Sequence, residues 1–110
     1  DANWWGKDPR QKALSTAIQT FLAGEGIDRF ADRYTLDGKP LSQRHSPGMV
    51  AATAVAGLAG TPEPLARAFV KELWDTPMPE GEQRYFDGML YLMSMMHLAG
   101  EYRIITPPVR

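Results

Sequence analysis

Hydrophobic residues along the chain fall into four helical segments of two alternating kinds. The first segment, residues 9–23, has one apolar stripe at helical spacing, and polar residues such as Gln19 occupy its other side. The third, residues 63–74, is striped in the same way. The second, residues 47–59, and the fourth, residues 82–98, are apolar nearly all round, which is typical of helices buried on every side.

This alternation predicts two layers of helices. Striped helices suit an outer layer that faces water, whereas all-round apolar helices suit an inner layer between the outer helices and a central axis. That arrangement is a barrel of helical hairpins, and two hairpins cannot close a ring. The pattern therefore predicts an all-α arc of a larger barrel, and it leaves open a compact four-helix bundle with two well-buried helices.

Proline and glycine mark the ends of these helices. Three polar residues each precede a proline, which loses no hydrogen bond at the first helical position. These pairs are Asp8-Pro9, Ser46-Pro47 and Thr61-Pro62. Three helical runs end at a glycine, the residue that best adopts the left-handed conformation after a helix. These glycines are Gly24, Gly60 and Gly100. Between the first two helices, residues 34–41 predict a small, protruding, hairpin-like loop about the Asp37-Gly38 turn.

Composition and charge exclude several classes of function. The net charge is −1 and the basic residues are scattered, so we expect no nucleic-acid partner. No apolar run reaches the length of a membrane span, and we expect no membrane partner. Cysteine is absent, and the two histidines, His45 and His97, are far apart. No spacing indicates a metal site, and we expect no metal and no cofactor.

Four pieces of the chain resemble, in order and spacing, the C-terminal part of glycoside hydrolase family 8. Residues 34–42 resemble the loop ahead of a buried, alanine-rich helix of that family, and residues 46–60 resemble that helix. Residues 84–94 are similar to an inner helix that carries tyrosine, a second aromatic residue and aspartate, with Phe86 as the second aromatic. Residues 97–103 are similar to the family's ending, from which Ala99 and Glu101 depart.

The resemblance implies a barrel of six α-helical hairpins. Residues 1–110 would form the C-terminal part of its single catalytic domain, with the N-terminal part lying outside this chain. It also implies inverting, endo-acting hydrolysis of β-1,4-glucan or a related polymer. The polymer is left open among cellulose, mixed-linkage glucan, xylan and chitosan. We expect a secreted or periplasmic protein, with which the absence of cysteine is compatible.

Inverting hydrolysis needs two carboxyl groups, one to protonate the leaving oxygen and one to activate water from the opposite face of the sugar. In the family both lie upstream of the region that this chain resembles. We therefore assign no catalytic residue here, and we expect the chain alone to be inactive. It would contribute barrel wall and cleft rim, with the remaining N-terminal part and a β-linked polysaccharide or oligosaccharide as its partners.

Two residues of the fourth helix stand out. Tyr85 is the candidate for substrate binding, because an aromatic residue at the start of an inner helix would lie at the rim of a central cleft. A core tyrosine is the alternative interpretation. Asp87 lies in a mostly apolar helix, and a buried carboxylate needs a partner such as an arginine or a neighbouring backbone group, with a role in the cleft as the lesser alternative.

The remaining aromatic, histidine and methionine side chains are interpreted as structural. Trp4 and Trp5 are expected to pack between layers, with sugar stacking as the lesser alternative, and Trp74 is expected in the core. His45 would cap the second helix, with ligand binding as the lesser alternative, and His97 suits a helix C-terminus. The methionines of the fourth helix would fill the core.

Two other functions remain open from the sequence. One is a non-catalytic helical-hairpin protein that binds a partner through its loops. The two hairpins show no similarity at a fixed period beyond their shared cap signals, which counts against a repeat array. The other is a different α/α-barrel hydrolase or lyase that acts on polysaccharides.

Overall fold

The structure, a computed structural model, describes residues 8–103, 105 and 107–109. In that part of the chain, α-helices alternate with loops, and residues Tyr34 and Pro40 form an isolated antiparallel bridge. The helices are α1 (Pro9–Glu25), α2 (Pro47–Ala56), α3 (Glu63–Asp75) and α4 (Arg84–Leu98), with a turn of 3-10 helix (Gly57–Ala59) continuing α2. Each of the four predicted helices is present. No helix of the described residues is long and apolar enough to cross a membrane.

Two of the three predicted N-terminal caps are confirmed. The Asp8 carboxylate accepts a hydrogen bond from the backbone N–H of Arg10 (2.8 Å), and the Ser46 hydroxyl accepts one from that of Met49 (3.2 Å). The predicted cap at Thr61 is wrong. Pro62 has an extended ψ of 136° and lies before the helix, which begins at the next residue, Glu63. Among the described residues, the buried Thr61 hydroxyl has no hydrogen-bond partner.

The prediction that glycines mark the helix ends needs correction at the end of α1. Gly60 is left-handed after the 3-10 turn (φ 112°, ψ 27°), as predicted. Helix α1, in contrast, continues through Gly24 to Glu25, and the residue with positive φ is Gly26 (φ 108°). The N–H of Gly26 returns to the carbonyl of Ala23, which closes the helix.

Helix α2 is the centre of the molecule, as its small apolar residues predicted. Its buried side packs against α3 and α4 in a core that also includes the loop residue Phe30. The buried core residues are Leu22, Phe30, Val50, Ala51, Ala54, Phe69 and Leu73. Ala52 lies on an exposed side of α2, so this helix is not buried all round.

The predicted polar side of α1 is wrong at Gln19, which is fully buried. Helix α2 tightens into the 3-10 turn at Gly57, whose N–H bonds to the carbonyls of Ala54 and Val55. The carbonyl of Thr53 is therefore left without its usual partner in the helix, and the Gln19 amide donates a hydrogen bond to it (2.8 Å).

The longest stripes of exposed apolar side chains among the described residues lie on α1 and α4. The α1 face consists of Leu14, Ile18 and Phe21, and the α4 face consists of Tyr85, Phe86, Met89, Leu92 and Met93. Members of each face recur at intervals of three and four residues, so each forms a continuous stripe. The prediction that the fourth helix is buried on every side is therefore wrong within this chain, as is the core assignment of Met89 and Met93.

Trp74 was also expected in the core, and this prediction is wrong. Its side chain lies at the end of α3, one position beyond the buried Leu73, and is 76% exposed. The inward side of α3 consists instead of Phe69 and Leu73, which are spaced by one helical turn.

Candidate functional site

Polar residues concentrate where helices α2 and α4 begin. Gly48 is the second residue of α2 and Asp87 the fourth of α4, and a Cβ atom on Gly48 would lie 2.5 Å from Asp87 Oδ1. The same Cβ would lie 3.1 Å from Leu90 Cδ1, one turn further along α4. The two inner helices thus start side by side, and only a glycine leaves room for the Asp87 carboxylate between them.

Asp87 is buried, and its partner is an arginine, as the sequence predicted. The Asp87 carboxylate is ion-paired with the Arg44 guanidinium, whose other amino group lies 3.4 Å from Asp32 Oδ2. The second oxygen of Asp32 accepts a hydrogen bond from the Ser42 hydroxyl. We call Asp32, Ser42, Arg44 and Asp87 the Arg44 network.

The network stabilises the charged form of Asp32. The hydrogen bond from Ser42, followed by that from Arg44, holds the pKa of Asp32 below its ordinary value of 3.8 and outweighs the opposing effect of burial. The Arg44 guanidinium provides positive charge to both carboxylates. Among the described residues, no three His, Asp or Glu side chains are grouped as a metal ion would require.

The loop ahead of α2 has the predicted hairpin-like form. Backbone hydrogen bonds join Thr35 N–H to the Lys39 carbonyl and Leu41 N–H to the Arg33 carbonyl, each at 2.9 Å. Gly38 in the turn has a φ of 84°, a conformation that side chains disfavour. At the base of the loop, the N–H of Asp32 donates a hydrogen bond to the carbonyl of Arg44 (2.9 Å). The Arg44 network therefore closes the loop at its base.

Tyr85 lies in the first turn of α4, two residues before Asp87. Because successive helical residues are separated by about 100°, the two side chains point to nearly opposite sides. Asp87 faces α2, whereas the Tyr85 side chain is 80% exposed at the end of the α4 face. Tyr85 is thus outside the core formed by the described residues. Its role in substrate binding stays a prediction.

The two histidines have structural contacts. His45 Nδ1 lies 2.8 Å from the Phe30 carbonyl oxygen, and its Nε2 lies 3.1 Å from Glu72 Oε1, which ties the start of α2 to α3. The cap of α2 is the neighbouring Ser46, so the expected capping role of His45 is wrong. His97 Nδ1 lies 2.6 Å from the Met93 carbonyl oxygen. The predictions for Trp4 and Trp5 lie outside the described residues.

Sequence reasoning missed Asp32, Ser42 and Arg44. A signal for them was present, since Asp32 and Arg44 flank the turn motif at comparable distances on either side of it. Residues that flank a hairpin are brought together when the hairpin closes. The acid–base pair at these positions was therefore a candidate for an ion pair at the base of the loop.

Comparison with known proteins identifies the class of barrel. The reducing-end xylose-releasing exo-oligoxylanase Rex8A of Paenibacillus barcinonensis is 39% identical over 106 residues, which are 94% of this chain and 27% of that protein. The solved structure of a GH8 xylobiose complex from Teredinibacter turnerae matches with a TM-score of 0.82 and 38% identity, over 93% of this chain and 26% of that one. Endoglucanase 2 of Ruminiclostridium josui is 29% identical over 93% of this chain and 22% of its own length. No family model matches the chain.

The chain therefore belongs to glycoside hydrolase family 8, and its fold is an arc of that family's α/α barrel. It spans about a quarter of the length of curated relatives such as Rex8A. This result favours the arc over the self-contained four-helix bundle and over a different family of α/α barrel. The non-catalytic helical-hairpin protein stays an alternative to the function proposed below.

Proposed function

We propose that the complete protein is an inverting glycoside hydrolase that acts on β-1,4-linked xylo-oligosaccharides or xylan. The observation that carries this proposal is the similarity to Rex8A and to the xylobiose complex, which have 39% and 38% identity to the chain. The expectation of β-1,4-glucan draws support from weaker matches, the endoglucanases at 29% and 26% identity. Xylan chemistry is therefore the better supported substrate class.

In this proposal the reaction is divided between the chain and the rest of the protein. The general acid and the general base belong to the remaining part, where they would stand about 6.5–9.5 Å apart with room for a water molecule. This chain supplies the start of two inner helices, the hairpin-like loop and the exposed ring of Tyr85. An aromatic ring at that position suits stacking on the apolar face of a pyranose, with its hydroxyl as a polar handle.

The rest of the barrel is the proposed partner of the two exposed apolar faces. An arc has two edges, and the α1 face and the α4 face lie on different helices of this one. Next to the α1 face is an apolar depression of about 410 Å³ lined by residues of α1, Tyr34 and Met49. Exposed apolar stripes of this kind mark surfaces that are covered by protein. We propose that neighbouring helices of the same barrel cover both faces except at Tyr85, the end of the α4 face that is left open to the substrate.

For action on polymeric xylan we propose a secreted or periplasmic location, because a polymer of that size is not taken up by cells. Fractionation of the source cells followed by immunoblotting tests the location. Detection in the cytoplasmic fraction alone would contradict it.

Substrate comparison tests the proposed function. The complete protein is assayed on xylohexaose and cellohexaose, with kcat/KM measured by chromatography of the products. The two sugars differ at each unit by a hydroxymethyl group, and one carbon group in a fitted pocket is worth roughly 10- to 200-fold. We expect xylohexaose to be favoured by at least about tenfold. Preference for cellohexaose would indicate β-1,4-glucan as the substrate. Absence of hydrolysis of both sugars would contradict the proposed glycoside hydrolase activity.

A further inference from the structure

The first turn of helix α4 has little support of its own. Its N-cap residue, Gln83, makes no side-chain capping bond, in contrast to Asp8 and Ser46 at the starts of α1 and α2. A helix start without a cap leaves backbone donors to water or to tertiary contacts and frays more easily. Tyr85 lies in this turn, so its position depends on what holds the turn from outside.

The external support is Asp87, the buried acidic residue of that turn. It is wedged against Gly48 and ion-paired with Arg44, and its side chain is 3% exposed. Arg44 is in turn held through Asp32, whose own position is set by Ser42 and by the backbone bond at the base of the loop. A continuous set of contacts therefore joins the hairpin-like loop to the helix turn that carries Tyr85.

We propose that Arg44 is a positioning residue for the substrate-binding site, acting through Asp87 on the first turn of α4 and so on the ring of Tyr85. The inference rests on the proposed function, since it takes Tyr85 as a sugar contact. Arg44 acts from the opposite side of the helix, because the Asp87 and Tyr85 side chains are separated by about 200°.

The geometry requires arginine at this position. The two guanidinium amino groups of Arg44 contact different carboxylates, Asp87 and Asp32. A planar guanidinium offers several donors in fixed directions, whereas the lysine ammonium is one flexible point charge. Arg44→Lys therefore keeps the charge but loses the simultaneous contact, and we expect it to rescue Arg44→Gln only in part.

A double-mutant cycle in the complete protein tests the inference on xylohexaose. Arg44→Gln, Tyr85→Ala and the double variant are compared by kcat and KM, with Arg67→Gln as the matched control. Arg67 also forms an ion pair, but with Glu63 on the exposed side of α3. Because misplacement of about 1 Å is worth up to roughly 100-fold, we expect Arg44→Gln to lower kcat/KM by at least about tenfold. Arg67→Gln should leave it unchanged.

The cycle separates positioning from a purely structural role. If Arg44 acts through Tyr85, Arg44→Gln should have an effect in the Tyr85→Ala background that is at least about threefold smaller than in wild type. Activities are expressed per folded molecule, with the folded fraction taken from the thermal unfolding curve, and Arg44→Lys provides a folded variant if Arg44→Gln unfolds. Equal fold losses in both backgrounds would overturn the inference, as would a change in melting temperature with unchanged kinetics. An inactive wild-type protein would instead contradict the proposed function.

Discussion

Replacement of Gly48 by alanine tests the contact on which the site depends. The new Cβ would lie 2.5 Å from Asp87 Oδ1, 3.1 Å from Leu90 Cδ1 and 3.4 Å from Asp87 Cα. The first distance is far below van der Waals contact, and Asp87 cannot swing aside without leaving Arg44. We therefore expect helix α4 to move away from α2 or the buried ion pair to break.

Two opposing effects determine how much Gly48→Ala changes the free energy of unfolding. Alanine is favoured over glycine inside a helix by about 1 kcal/mol. Overpacking of a tight contact costs about 1–3 kcal/mol, and loss of a partner for a buried carboxylate adds about 1–3 kcal/mol. The unfavourable terms are larger, so Gly48→Ala should destabilise the complete protein by about 1–5 kcal/mol.

Gly24→Ala and Gly88→Ala are the matched controls. Both glycines lie within helices, and a Cβ atom at either position meets nothing within 4 Å. These variants should therefore show only the gain in helix propensity, up to about 1 kcal/mol. Chemical unfolding midpoints of the three variants give the comparison. A Gly48→Ala midpoint equal to or above those of the controls would refute the close approach of α2 and α4.

Two further predictions concern the site residues. Tyr85→Phe and Tyr85→Ala should both lower kcat/KM on xylohexaose. The loss should be larger for Tyr85→Ala, because this variant removes the ring as well as the hydroxyl. Full activity of a well-folded Tyr85→Ala would exclude Tyr85 from the site. The lowered pKa of Asp32 implies stability that is fully present above its ordinary value of 3.8 and is lost as the pH falls through the lower folded value. Asp32→Asn should therefore lower the melting temperature at pH 7, and the difference from wild type should shrink as the pH falls from 3.8 and vanish below the folded pKa. A constant difference across that pH range would contradict the charge-based role of Asp32.

Local signals in the sequence predicted the elements and much of their burial. Proline and capping residues located the starts of α1 and α2, and the turn at Asp37-Gly38 located the loop. These features depend on interactions within a few residues, which a sequence displays directly. Asp87 shows the limit of this reasoning. A carboxylate in an apolar helix predicted a partner, but the identity of Arg44 depends on contact between residues 43 positions apart.

The errors have a common physical origin. Gln19 is buried because a carbonyl on another helix lost its partner at a 3-10 turn, which no periodicity in α1 records. The described residues leave the apolar α1 and α4 faces uncovered, so an apolar stripe predicted burial without specifying by what. The position of Tyr85 at the end of one such stripe made it a candidate for both packing and substrate contact.

The central claim is that this chain is an arc that requires the rest of a barrel. It is tested most directly by the solution state of residues 1–110 alone, measured by sedimentation velocity together with thermal unfolding. The exposed α1 and α4 faces predict association or a broad, weakly cooperative transition, because large apolar patches are not stable in water. A monomer with a sharp cooperative transition would contradict the arc.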